Sequence, residues 1–519
     1  MRFRRLQSAL RGFGSLLLLP FRRYVGPLEV EARPRPRVPN NTIVAGSTHA
    51  KVLVGLTDVD SWTLADAFSG TLILGSTGSG KSTGSGAAIR RTFLRSGLSG
   101  VVLCVKGDEP DEWQRAARAH GREHDIVLFG LGSQKSFDFL NWEFNRPDDG
   151  AGLVRNVVSL LLEAASAGFE QVSRTDPYWD QALYEVVSSA VCLLAAATHD
   201  RDSGSADISL AGLLSIIRSA PTTRQEVSSR GWREGSACWS YMQSAHRNSS
   251  FLPAGLLHDV KRAVEFFLHD YASLNSRTRS VISSSFTAKI APLLQSPVAN
   301  LLTGPSDPTV LPDVLERGKI LVLNFPVKVL GPTGSLIQSL LKTLVQRWIE
   351  RRTSSSPVFL WADEAQHFLS KQDPMFLATA RSKRAATVYL TQSISSVYAA
   401  FGGDEAAADA LLSNLNTKIF HQQSDPVTNE YAERLFGRHD KSSMPANSMD
   451  LSLGAISIRS DSHEPSVVPA SSFTTLQRGG PPTLLTEAYV FAARRWNSTG
   501  TNALLVQFAQ DFSEIRVSR

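Results

Sequence analysis

Residues 71–82 read Thr-Leu-Ile-Leu-Gly-Ser-Thr-Gly-Ser-Gly-Lys-Ser. Thr71 to Leu74 is a short apolar run suited to a buried strand, and Gly75 to Ser82 satisfies G-x-x-x-x-G-K-[ST] at every fixed position. Glycines let successive backbone N–H groups turn inward around phosphate oxygens, and a following helix adds the positive end of its dipole. In such a loop Lys81 reaches the β- and γ-phosphates while the Ser82 hydroxyl helps to hold Mg²⁺. The expected nucleotide contacts are therefore Gly75, Ser76, Thr77, Gly78, Ser79, Gly80, Lys81, Ser82 and Thr83, with ATP and Mg²⁺ as cofactors.

Working outward, Ser82 to Arg95 reads as a helix and Val101 to Val105 as a second strand ending at Lys106-Gly107. Strand, glycine loop, helix and strand make the βαβ unit of a parallel sheet. His124 to Phe129 supplies a further strand. Between about 150 and 300 the apolar spacing turns helical, at Leu153–Ala167, Trp179–Thr198, Ser209–Ser219, Ala254–Leu274 and Val281–Leu294. We read an all-α domain inserted into an α/β domain, with 201–206 as one of its surface loops. The sheet resumes at Lys319–Leu323, Val358–Trp361, Thr387–Leu390 and Lys418–Phe420, with an amphipathic helix over Leu336–Arg351. Residues 438–472 read as a long polar loop, and Tyr489–Phe491 with Leu504–Phe508 as a closing hairpin. The expected division is a basic arm and linker over 1–40, a first nucleotide-binding part over 41–150, the all-α domain over 151–300, and a second nucleotide-binding part over 301–519.

Val358-Phe-Leu-Trp-Ala-Asp363-Glu364 is an apolar strand ending in two carboxylates. A strand ending in acids is commonly a solvated turn, but beside an intact phosphate loop it is a Walker B element at the carboxyl edge of the sheet. Asp363 is expected to act on Mg²⁺, and Glu364 to polarise the attacking water as general base. One strand later Gln392 is placed to sense the γ-phosphate or position that water. Upstream of it, Arg381-Ser-Lys383-Arg384 is either a solvated helix end or the source of an arginine, Arg381 or Arg384, that neutralises charge on a neighbouring subunit's phosphates.

The chain has 519 residues with 42% hydrophobic and 20% charged, which excludes collagen-like and wholly disordered classes. Three scattered cysteines exclude a disulfide framework and fit a reducing compartment, here the cytoplasm. The net charge is +6, yet residues 1–40 carry nine arginines against two glutamates, so the remainder sums to −1. The basic balance belongs to an arm. Its Leu16–Leu19 run is far shorter than the about 20 apolar residues of a spanning helix. The arm reads either as a membrane-surface helix meeting anionic lipid or as a flexible basic tail.

With these elements in order, the sequence resembles the TraG/TraD-like coupling ATPases of conjugation and type IV secretion, in the FtsK–HerA branch of P-loop ATPases. The likeness runs from about 45 to 510. It rests on the phosphate loop, Val101–Asp108 (VVLCVKGD), Asp176–Ala182, Trp361–Gln366 (WADEAQ), Asn416–Phe420 with Asp425–Thr428, and Leu476–Gly479. The resemblance implies a RecA-like P-loop NTPase domain with a parallel-rich central sheet and an inserted all-α domain. It also implies a hexameric motor that passes DNA through a central pore, with relaxase or relaxosome and type IV secretion channel components as partners. Many relatives begin with two transmembrane helices and this sequence shows none, so the expected location is the bacterial cytoplasm, with attachment at the inner membrane supplied either by a separate membrane partner or by peripheral contact through the arm.

The reading that follows is an ATP-driven DNA translocase serving conjugative transfer. Two others stay open, a HerA-like intracellular DNA-processing ATPase and an adaptor that uses nucleotide only to dock protein cargo at a secretion channel. An adaptor has no need of a water-activating Glu364. For DNA contact the basic pairs Arg277/Arg279 and Lys383/Arg384 are candidates, since a pore tracking a phosphate backbone needs few cations per subunit.

Overall fold

The computed structural model describes residues 51–147, 150, 152–166, 177–438 and 465–510. The basic arm, Asp176 of the all-α signature and most of the expected polar loop over 438–472 lie outside them.

A nine-stranded sheet organises the chain. In sequence its strands are β3 (Thr71–Leu74), β4 (Ser99–Leu103), β5 (Ile126–Gly130), β6 (Ile320–Asn324), β7 (Val358–Ala362), β8 (Ala385–Thr391), β9 (Thr417–His421), β10 (Leu485–Ala492) and β11 (Ala503–Ala509). Upstream, β1 (Val52–Gly55) and β2 (Ser61–Thr63) pair separately. The spatial order is β11-β10-β9-β3-β8-β7-β4-β6-β5. All pairings from β9 to β5 are parallel, whereas β10 is antiparallel to β9 and to β11, which is the expected closing hairpin. The central strands β3, β4, β7, β8 and β9 are buried at every residue. Helices on both faces of a parallel sheet account for that burial and for the apolar runs in the sequence.

Alternate residues serve alternate faces. Ile73, Val102, Val322, Phe359 and Leu390 join Ile89, Phe93 and Trp113 in one apolar cluster. Leu72, Leu74, Val101, Leu323 and Leu360 join Leu336, Leu340 and Leu344 in the other, which continues into the inserted helices. The first face is covered by helices Ala87–Arg95 and Glu109–Ala119, where Phe93 and Trp113 stack on Phe359 at 5.3 and 5.6 Å between centroids. The second carries helix Pro332–Arg351, whose Arg347 bonds Asn156 O and Ser159 Oγ at 2.8 Å and Glu163 at 3.1 Å, tying the sheet to helix Val154–Ser166.

The helices between β5 and β6 include Val154–Ser166, Pro177–Ala197, Leu210–Ser219, Ala237–Asn248, Ala254–Glu265 and Ser276–Ile290. Several expected bounds shift for local reasons. The strand expected at Val101–Val105 runs Ser99–Leu103, because the Gln338 side chain takes both Cys104 N (2.7 Å) and Cys104 O (2.8 Å), and Glu109 takes Val105 N (2.8 Å). The helix after the phosphate loop opens with a wide turn, Ser82–Gly86, before α geometry sets in at Ala87. Helices Glu109–Ala119 and Ala237–Asn248 are additional to the elements expected from the sequence. Among the described residues no helix is long and apolar enough to cross a membrane. All three cysteines are buried and free.

Candidate functional site

β3 lies between β9 and β8, and β7 lies beyond β8, so the loop after β3 and the acids after β7 emerge at one edge of the sheet. The loop is folded tightly on itself. A Cβ on Gly75 would fall 2.3 Å from Ser79 Oγ. Gly80 has φ +90°, and a Cβ there would meet Thr486 at 2.9 Å. Its back is held by the C-terminal hairpin, where Thr486 Oγ1 donates to Ser79 O at 2.6 Å and Gln510 Nε2 to Thr83 Oγ1 at 2.6 Å. Its front edge is tied to β9's end, Ser76 N donating to Gln422 O at 3.0 Å and Ser76 Oγ to Gln423 Oε1 at 3.1 Å. Gln423 also donates to Gln392 O at 2.6 Å, joining the loop to β8's end.

Behind the loop His421 is fully buried. Its Nδ1 lies 3.1 Å from Glu487 O, which only accepts, so Nδ1 carries the proton and Nε2 accepts from Ser85 Oγ at 2.7 Å. Burial pushes its pKa down to about 3, so it is neutral and serves the loop as a brace.

The expected site residues meet in pairs. Ser82 Oγ donates to Asp363 Oδ2 at 2.7 Å, and Lys81 Nζ lies 3.3 Å from Glu364 Oε1. Gln392 Nε2 stands 3.4 and 3.3 Å from the two Glu364 oxygens. Glu364 adopts a left-handed backbone, φ 49°, a conformation that costs a non-glycine residue about 1–3 kcal/mol. Burial opposes its ionisation, but the Lys81 charge and bonds from Gln366, Gln392 and Lys81 outweigh it and hold its carboxyl below the usual range. Beside β4, burial and the Asp363 charge push Glu109 well above that range, against Lys106.

The basic cluster is elsewhere. Arg381 and Arg384 sit just before β8, at the end opposite Gln392, with Arg381 exposed and Arg384 Nη1 on Ser355 O at 3.2 Å. Lys383 Nζ bonds Arg352 O at 3.2 Å. Of the other candidate pair, Arg277 is exposed whereas Arg279 is engaged with Leu274 O on its own helix start.

Gln366 closes the WADEAQ motif, but several contributors carried no sequence signal of their own: Thr391, His421, Gln422, Gln423, Thr486 and Gln510. One neighbour is Arg478, whose Nε donates to Gln422 Oε1 at 3.0 Å in the turn packed against the loop. Beneath the β7 acids lies a buried ionic knot. Asp373 accepts from Lys342 Nζ (2.5 Å), Gln346 Nε2 (2.8 Å), Tyr389 OH (2.8 Å) and Ser370 N (2.7 Å). Lys342 also donates to Phe368 O at 2.5 Å, fixing the chain just after Glu364.

The donor set suits a nucleotide with Mg²⁺. Among the described residues no three His, Cys, Asp or Glu side chains converge to hold a metal unaided. Mg²⁺ needs only one or two protein oxygens when phosphates supply others, and Ser82 with Asp363 is such a pair. Ser79 Oγ is buried without a partner inside the loop, where a phosphate oxygen would satisfy it.

A family model described as the TraM recognition site of TraD and TraG matches residues 357–478, which include Asp363, Glu364, Arg381, Gln392 and Arg478. Among solved structures, the unbound monoclinic form of the bacterial conjugative coupling protein TrwBdeltaN70 is 17% identical, covering 90% of this chain and 89% of that one with TM-score 0.55. Plasmid coupling protein TrwB with the non-hydrolysable ATP analogue ADPNP gives 17% identity, 90% of each chain and TM-score 0.54. TrwB with ADP and Mg²⁺ gives 16%, 90% and 89%, and TM-score 0.53. No curated protein sequence matches. The resemblance to TraG/TraD-like coupling proteins thus holds in sequence over 357–478 and in fold, that of a P-loop NTPase, over nine-tenths of the chain.

Proposed function

We propose that this protein is an ATP-driven DNA translocase that acts as a coupling protein, feeding DNA to a type IV secretion or conjugation channel. The observation that carries the reading is the meeting of Lys81 and Ser82 with Glu364 and Asp363 across two strands. Bound ATP with Mg²⁺ supplies a scissile phosphoanhydride whose developing charge must be neutralised. The loop Gly75–Thr83 binds the phosphates, Lys81 contributes charge, and Ser82 with Asp363 holds the metal side. Glu364 is the base that takes a proton from water, and its ionised state near neutral pH follows from the charge and hydrogen bonds around it. Gln392 orients that water or senses the γ-phosphate. TrwB structures with ADPNP and with ADP and Mg²⁺ support the choice of ligand.

The assembly in this reading is a homo-hexamer with DNA in its pore and Arg381 offered across the subunit interface. The helices of 151–300 form a cargo-receiving domain inserted between nucleotide-binding parts 41–150 and 301–519. The match to the TraM recognition site supports a relaxosome component as a partner of the 357–478 region.

Purified protein is expected to hydrolyse ATP faster with DNA, and Glu364→Gln to bind ATP without turning it over. Wild-type hydrolysis by Glu364→Gln would remove the base assignment. Turnover indifferent to DNA, with nucleotide-dependent capture of protein cargo, would favour the adaptor.

A further inference from the structure

The Glu364 carboxylate is held from three sides. Lys81 Nζ is 3.3 Å from Oε1, and Gln392 Nε2 is 3.3 Å from Oε2. The shortest bond is the third, Gln366 Nε2 donating to Oε2 at 2.8 Å. Lys81 and Gln392 have other work when nucleotide is bound, the one on the phosphates and the other at the γ-phosphate end. Gln366 does not. Its own amide oxygen accepts from Thr391 Oγ1 at 2.8 Å, and Thr391 is fully buried on β8. The ionised Glu364 carboxylate only accepts, so the NH₂ group faces it, and the amide oxygen turned to β8 is anchored from behind by the Thr391 hydroxyl.

We propose that Gln366 is the positioning residue that keeps the Glu364 carboxylate aimed at water once Lys81 and Gln392 have turned to the nucleotide, with Thr391 fixing the direction of the Gln366 amide. The proposal rests on Glu364 being the general base. Loss of Gln366 removes the shortest bond to the Glu364 carboxylate and so loosens its aim. ATP affinity is untouched, because the bonds of Gln366 run to Glu364 and Thr391 and not to the phosphate loop.

The test compares Gln366→Leu, Thr391→Val, Thr391→Ser and Glu364→Gln in the full chain, by steady-state ATPase kinetics that separate kcat from KM and by calorimetric ATP binding. Gln366→Leu is expected to lower kcat roughly 10–100-fold and to leave ATP affinity unchanged. Thr391→Val is expected to lose less in the same direction, with Thr391→Ser restoring wild-type behaviour, a pair that decides the matter even if Gln366→Leu fails to fold. Wild-type kcat in Gln366→Leu would overturn the proposal. So would a loss in Thr391→Ser equal to that in Thr391→Val. A Glu364→Gln protein that turns over at the wild-type rate would instead strike out the base itself, and the proposal's premise with it.

Discussion

Arg384 and Gln392 bracket one strand: Arg384 immediately precedes the seven residues of β8 and Gln392 immediately follows them. At about 3.3 Å per residue the eight steps from Arg384 to Gln392 span roughly 26 Å, so the basic cluster stands at the far end of the strand from the Glu364 carboxylate that Gln392 approaches. An arginine there reaches no phosphate held by its own loop, so its proposed role is one played in trans.

Arg381→Ala is accordingly expected to keep its fold and ATP affinity while losing DNA-stimulated turnover, by roughly 10³–10⁵ if it acts as an arginine finger. Mixing it with Lys81→Ala rebuilds one composite site from an intact loop and an intact arginine. Recovered hydrolysis in mixed oligomers is the expected result. Full activity of Arg381→Ala alone would pass the role to Arg384.

Ser82 and Asp363 share a 2.7 Å bond. Ser82→Ala and Asp363→Asn are expected to raise the Mg²⁺ concentration for half-maximal turnover by about tenfold or more, while metal-free ATP binding survives through Lys81. Magnesium titrations of turnover and binding check this. An unaltered Mg²⁺ requirement in both variants would dismiss the pair.

Asp373→Ala leaves the Lys342 ammonium buried with Phe368 O as its remaining hydrogen-bond acceptor, and removes the acceptor of Tyr389 and Gln346. Breaking a buried pair from one side costs about 3–5 kcal/mol. A Lys342→Met, Asp373→Leu double variant is expected to lose less than Asp373→Ala, because no uncompensated charge remains. Chemical denaturation compares the two, and an equal loss would show that packing dominates.

Lys418 is buried on β9, donates to Leu415 O at 2.6 Å, and lies 5.7 Å from the centre of the Phe491 ring. Burial lowers its pKa to about 8. The unfolded chain, with a value near 10.4, binds more protons across the interval between them. The contribution of Lys418 to stability is therefore full above about pH 10.4 and is lost as pH falls toward about 8, a difference of roughly 3 kcal/mol. Lys418→Met should be the more stable protein at neutral pH, and the gap should narrow as pH rises through that window. A constant gap in denaturation midpoints between pH 7 and 10 would contradict this.

What the residue order made legible was chemistry held in short fixed spacings. Gly75–Ser82 is local, and so is an apolar strand ending in Asp363-Glu364. Both stand at one edge of the sheet because parallel strands put their carboxyl ends together. Thr391, Gln423 and His421 stand in no pattern of their own, because each gains its place from a partner supplied by a distant part of the chain, whereas Gln366 lies in a motif that shows its presence but not its bond to Glu364. The Glu109–Ala119 helix is a different kind of miss. Its start carries Glu109, Pro110, Asp111 and Glu112, an acidic first turn with an early proline, which is a recognisable helix beginning that passes for a turn when read from the strand before it. The strand order could not be read at all, because β9's position between β10 and β3 depends on pairings across hundreds of residues.

The bond from Thr486 to Ser79 spans 407 positions of the chain. A ribosome adding roughly 5–20 residues per second takes about 20–80 s to cover that interval. For all of that time the nascent chain displays its complete glycine-lysine motif without the hairpin that braces it. Competence for nucleotide thus arrives late in synthesis, after the β7 acids and the inserted helices have been made, and a polypeptide cut short before Leu485 would carry the signature of the site without the architecture to use it.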